Sequence, residues 1–151
     1  MTYKLIILCV LALLAIVFIS ACSANKPENL GIKNGEFSAC PSSPNCVSSQ
    51  ASDENHKIAP LKAHGELATV MANLQESIKQ MDGSKVIKLE GAYLHAEFTS
   101  NIMRFVDDLE CFYDKDNNKI EVRSASRIGY SDLSANKKRI EKLRTIFEKK
   151  Q

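Results

Sequence analysis

The chain of 151 residues carries 20 basic and 18 acidic side chains, a formal net charge of +2. That near balance excludes a polybasic nucleic-acid binder and an acidic solvating tail. The length suits one domain with an adequate but modest core, and neither repeats nor low-complexity tracts are present.

The first element is MTYKLIILCVLALLAIVFISAC. Lys4 is its only charge, and Leu5 to Ile19 is an unbroken apolar run, shorter than the roughly 20 residues of a spanning helix. A basic start, an apolar centre and small residues at the end describe a secretory signal peptide over residues 1–21. Its end, Ile19-Ser20-Ala21-Cys22, resembles the bacterial lipobox: an aliphatic residue, two small residues, then cysteine. The resemblance implies cleavage before Cys22, lipidation of its thiol and acylation, palmitate included, of the new amine. The product would be a membrane-anchored lipoprotein of the bacterial cell envelope, facing the periplasm. Several acyl chains make such anchoring stable, since each buried CH₂ contributes about 0.8 kcal/mol. Ser23, in place of Asp, leans towards the outer membrane of a two-membrane bacterium. The competing reading is an uncleaved helix with Cys22 as an incidental interfacial residue.

Residues 22–39 hold Asn, Lys, Pro, Glu and Gly with few apolar side chains, the composition of a flexible, lipid-anchored tether. Without the leader the balance is 19 basic to 18 acidic residues. Cys40 and Cys46 then flank Pro41 and Pro44. Cys9 leaves with the leader and Cys22 is spent on lipid, so Cys40, Cys46 and Cys111 remain. The envelope is oxidising, and a Cys40–Cys46 bridge would contribute roughly 2 kcal/mol by loop entropy. Zinc pairs favour about two to four intervening residues and need two more ligands. His56 and His64 do not supply a zinc spacing, and a redox pair would be C-x-x-C. A structural disulfide is therefore expected over metal or catalysis, and neither a metal nor a cofactor is expected anywhere. Cys111, inside an apolar strand pattern, reads as a small buried hydrophobe.

Leu67, Val70, Met71, Leu74, Ile78 and Met81 recur at helical spacing and predict one amphipathic helix over 64–81, stopped by Asp82-Gly83. The period then becomes two. Lys85 to Leu89 is a short strand, and Glu90-Gly91 a turn. Ala92 to Thr99 sets Leu94, Ala96 and Phe98 against Tyr93, His95 and Glu97. Phe105 to Tyr113 sets Phe105, Asp107, Leu109, Cys111 and Tyr113 against Val106, Asp108, Glu110 and Phe112. Lys119 to Arg127 sets Ile120, Val122, Ser124 and Ser126 against Glu121, Arg123, Ala125 and Arg127. A last helix runs over 133–148 with Ile140, Leu143 and Phe147 as its stripe and Ser131 or Asp132 as its cap. The expectation is an α+β domain over 40–148: a four-stranded antiparallel meander with both helices packed on one face. Lys137 to Lys150 holds seven basic and two acidic residues. That is a solvated helix face or, more sharply, a face for anionic lipid headgroups.

The stretches "CPSSPNCVSSQA", "YLHAEFTS", "RFVDDLECFYD" and "VRSASRIGYSDLSANKKRIEKL" together resemble the bacterial domain-of-unknown-function family 1499. The resemblance covers about residues 40 to 147 and implies no established activity. The residues themselves offer two candidate sites. Asp108 and Glu110, with Arg123 and Arg127 on the next strand, form an opposite-charge ladder on a solvated face, each pair contributing about 0.2–1 kcal/mol. Asp107 shares the covered face with Ser124 and Ser126, where a carboxylate needs hydrogen-bond partners. Either those serines or amides near Tyr130 supply them, or the fold encloses a partly polar pocket there with Arg127, Tyr130 and Asn136 at its rim. A helix N-terminus can bind an anion, but Asp132 occupies that place itself. A triad of Ser124 or Ser126 with His95 and Asp107 can be drawn, yet no G-x-S-x-G elbow exists, and His95 alternates to the face opposite Asp107. Asp107 and Asp108 likewise point apart. The leading expectation is a non-enzymatic module that binds a partner protein or a small or lipidic ligand, and no nucleic acid. The competing readings are a serine-dependent hydrolase and a purely structural envelope protein.

Overall fold

The structure, a computed structural model, describes residues 25–151. The expected leader and the lipidation site at Cys22 lie outside the described residues.

The described chain folds as an antiparallel sheet with two helices. The elements are β1 (Cys46–Ser48), β2 (Leu61–Lys62), α1 (Leu67–Lys79), β3 (Ser84–Glu90), β4 (Tyr93–Thr99), β5 (Val106–Asp114), β6 (Lys119–Ser126), α2 (Ala135–Phe147) and a 3₁₀ turn (Glu148–Lys150). Strands β3 to β6 form the expected meander. The sheet nevertheless has six strands, not four, because β1 and β2 both pair with the outer edge of β6. They are too short to show a period, so sequence reasoning read them as irregular chain. Their effect is physical: an unpaired edge invites other strands, and here it is capped along its length. Ser126 N donates to Asn45 O (3.0 Å), Ser49 N to Val122 O (2.8 Å) and Ala63 N to Asn118 O (3.1 Å). The other edge, β3, carries the exposed Lys85 and Lys88 and a register shift between Val86 and Lys88, both devices that discourage edge pairing.

Alternation places Leu94, Ala96, Leu109, Cys111, Ile120 and Val122 in one buried cluster with Val70, Leu74 and Ile78 of α1 and Ile140, Leu143 and Phe147 of α2. The helix stripes are those the periodicity marks, although both helices are shorter than expected. α2 cannot begin before Ala135, because Leu133 and Ser134 have left-handed backbones (φ 52° and 64°). At the end of α1, Gly83 has φ 74° and lies against Thr99: a Cβ there would sit 2.4 Å from the Thr99 carbonyl oxygen.

The expected tether is packed over much of its described length. Gly31 N donates to Glu110 Oε1 (2.7 Å) on the sheet face away from the helices, and Phe37 N donates to Gln50 Oε1 (2.8 Å). Phe37 itself is buried. Cys40 and Cys46 are joined by a disulfide, and Cys111 is a free, buried thiol.

Candidate functional site

The strand faces fall as alternation predicts, but the charged face is not solvated. Asp108, Glu110, His95 and Arg123 are all buried, which overturns the picture of an exposed ladder. Glu110 stands directly opposite Arg123 in the β5–β6 register, and Arg123 Nη1 donates to Glu110 Oε2 (3.0 Å). Glu110 Oε1 also accepts from Tyr93 Oη (2.9 Å) and from Gly31 N (2.7 Å). The cover is thus partly the segment that composition assigns to a tether.

The neighbouring register pair is Glu97 with Asp108, two like charges whose direct opposition is unfavourable. Arg127 resolves it. Its Nη2 donates to Glu97 Oε1 (2.5 Å) and Asp108 Oδ1 (2.8 Å), and its Nε to Asp108 Oδ2 (2.8 Å). His95 Nε2 lies 2.8 Å from Asp108 Oδ1. Burial pushes the Asp108 carboxyl up, but the hydrogen bonds from Arg127 and His95 outweigh it and leave its pKa below the ordinary value. Burial, then the Glu110 charge, pushes the Tyr93 hydroxyl up, so it stays a donor. Tyr93 and Glu97 are not among the candidates read from sequence, and His95 is read there only as a member of the drawn triad. Their shared face in β4 was visible, but the register that brings them to Asp108 and Glu110 was not.

On the helix-facing side Asp107 has a partner that sequence reasoning missed. Arg139 Nη2 donates to Asp107 Oδ2 (2.5 Å), and its guanidinium stacks 4.7 Å over the Phe98 ring. Neither serine bonds Asp107. Ser124, fully buried, donates to Asn136 Oδ1 (2.6 Å) and accepts from Arg139 Nη1 (2.9 Å). Asn136 Nδ2 reaches Asn45 O (2.9 Å), Ser126 Oγ (3.0 Å) and Asp132 Oδ2 (2.8 Å). The N-cap residue of α2 is Ser134, whose own side chain makes no cap hydrogen bond; Asp132, two residues earlier, takes that role by accepting from Ser134 N (2.9 Å) and Asn136 N (2.8 Å). The drawn triad is not brought together: His95 is on the opposite face, bonded to Asp108.

A groove does open beside Asp107, and two adjoining cavities share Ser100, Asn101, Asp107 and Ala135. One, of about 440 Å³, is walled by Ile102, Met103, Phe105 and Ile128. The other, of about 310 Å³, is bordered by Lys138, Arg139 and Lys142. The rim differs from the expected one. Arg127 belongs to the far face, Asn136 is buried beneath the α2 N-terminus, and Tyr130 points to solvent, 75% exposed. The reason is the alternation itself, which sets Arg127 opposite Ser126.

His56 is held by Asp53 Oδ1 (2.8 Å) and Ser43 O (3.1 Å). Among the described residues no group of three or more His, Cys, Asp or Glu is placed to hold a metal ion, and no helix is long and apolar enough to cross a membrane.

One family profile, described as "Protein of unknown function (DUF1499)", matches residues 36–147. No curated protein and no solved structure matches the chain.

Proposed function

Because the chain belongs to the DUF1499 family of proteins of unknown function, its role has to be argued from its own side chains, and we propose that it is a lipid-anchored envelope protein whose domain binds an amphipathic anion without transforming it. The observation that carries this is the two-ended groove: apolar side chains at one end and, at the other, Lys138 beside the Lys142–Asp82 ion pair (3.6 Å). A ligand with a hydrocarbon part and an acidic head, small or lipidic, suits that polarity. Pockets of this kind are mostly apolar with a few placed polar groups. Arg139 serves as a wall, since Asp107 already engages it. The envelope location rests on the lipobox-like Cys22 and is supported by the Cys40–Cys46 bridge, a bond that persists in oxidising compartments. Ser23 leans the assignment towards the outer membrane.

Ala135 borders both halves of the groove, so Ala135→Trp fills it. Titration of the full-length chain with a fluorescent medium-chain fatty acid should show saturable binding. The A135W variant should weaken it at least tenfold, and Lys85→Ala, an exposed change on β3 outside the groove, should leave it within about twofold, roughly the 0.5 kcal/mol of a benign change. Absence of saturable binding in the wild type, or equal binding by A135W, would remove the groove as the site.

A further inference from the structure

Two loops close one end of the sheet: residues 100–105 between β4 and β5, and residues 127–134 between β6 and α2. Arg127 N ties them by donating to Val106 O (3.2 Å). Together they turn large apolar side chains outward. Ile102 is 91% exposed, Leu133 84% and Tyr130 75%, with Met103 and Phe105 more than a third exposed. Five of the eight exposed large apolar residues among the described chain are therefore at this one end, which makes them a patch rather than scatter.

Leu133 is the most informative of them. It has a left-handed backbone (φ 52°), followed by Ser134 at φ 64°. A leucine is disfavoured there, and glycine or asparagine would make the same turn more easily. The leucine gains no burial in return. It is held against its backbone preference with its apolar side chain projecting.

The surroundings are basic. Arg104 sits in the first loop, and Lys137 and Lys138 lie in the first turn of α2, while Lys142, further along, is paired with Asp82 (3.6 Å). Arg104 and Lys137 have no ion-pair partner among the described residues. The nearby carboxylates are engaged: Asp132 caps α2, and Asp107 holds Arg139.

We infer that this end of the domain is a membrane-docking tip, in which Ile102, Leu133 and Tyr130 enter the interface of a bilayer while Arg104 and the α2 lysines meet its anionic headgroups. Apolar residues beside basic ones bind such a surface by both terms. A bilayer fits better than a protein partner because the most exposed side chains project from separate loops. Of the three, only Ile102 borders the groove, and Leu133 and Tyr130 stand outside it, so these two offer no recess that would enclose a partner's anchor residue, as protein hot spots do. The inference does not require the groove to hold a ligand.

The chain contains no tryptophan, so a single one reports its own position. Leu133→Trp places it at the tip. Asp116→Trp places it in the exposed β5–β6 turn, at the other end of β5. Each full-length variant is reconstituted into vesicles of phosphatidylcholine with phosphatidylglycerol. The L133W emission should shift to the blue, and brominated lipid should quench it several-fold more strongly than that of D116W. High salt, pure phosphatidylcholine or Arg104→Glu with Lys137→Glu should reverse the shift. Emission from L133W that stays at the solvent-exposed wavelength and is quenched no more than D116W overturns the inference. So does a blue shift produced by an envelope protein fraction without vesicles. Loss of fatty-acid binding in A135W with the L133W signal intact, or the reverse, separates this tip from the groove.

Discussion

At the level of single residues, the face away from the helices is costly, and Arg123 Nε is buried there without a hydrogen-bond partner. Removing one member of a buried ion pair leaves an uncompensated charge and typically costs about 3–5 kcal/mol. Asp108 is the sharpest case, because Arg127 and His95 both depend on it. Its pKa lies below the ordinary carboxylate value, about 3.9 in an unfolded chain. A lowered folded pKa means that the stabilisation is fully present above the unfolded value and disappears as pH falls through the folded one. Urea denaturation of Asp108→Asn should therefore show a loss of about 3 kcal/mol near neutrality and a flatter fall in stability below about pH 4 than the wild type. An unchanged acid limb would mean that other carboxylates carry the transition. Strand alternation made the sidedness of Asp107, Asp108, Glu110, Arg123 and Arg127 legible. Their burial was not legible, since the residues covering Glu110 include Gly31, far away in sequence. The Asp107–Arg139 pair was hidden for a related reason: Arg139 lies in a basic run that reads as a solvated face, and only the docking of α2 turns it inward.

Among the elements, legibility follows length. Helix α1 and strands β3 to β6 repeat their period often enough to be read. β1 and β2 span three and two residues, and their existence depends on the β6 edge that they pair with. The α2 start shows local chemistry and tertiary demand acting together. Asp132 was recognisable as a cap from its position, and its carboxylate accepts from two backbone amides and the Asn136 side chain. Asp132→Ala should cost about 1–2 kcal/mol, towards the upper range for a lost cap, in thermal or urea unfolding. Asp132→Asn should recover much of it, since an amide oxygen still accepts. If the alanine variant is neutral, the left-handed Leu133 and Ser134 pair sets the helix start unaided.

For the molecule as a whole, the unexpected feature is the route of the N-terminal chain. A tether of free coil would let the domain roam from its anchor. Instead Gly31 N is bonded to Glu110 and Phe37 N to Gln50, and Asn29 O accepts from Ser38 Oγ (2.6 Å), so the packed route is already established by Asn29. Composition could not reveal the packed route, because the contacts that fix it are a backbone amide on a distant carboxylate and one buried phenylalanine. Gly31 makes the matter testable. It has φ 118° with nothing within 4 Å of an added Cβ, so Gly31→Ala strains the backbone without a clash, at a cost of roughly 1–3 kcal/mol. Amide hydrogen exchange on the full-length chain should then accelerate about tenfold or more over residues 29–37. Peptides from the core of α2 should keep the wild-type rate. Immediate exchange of 29–37 in the wild type would restore the simple tether and leave the Glu110 face open. A matching acceleration in α2 would mean that this segment and the domain unfold as one unit.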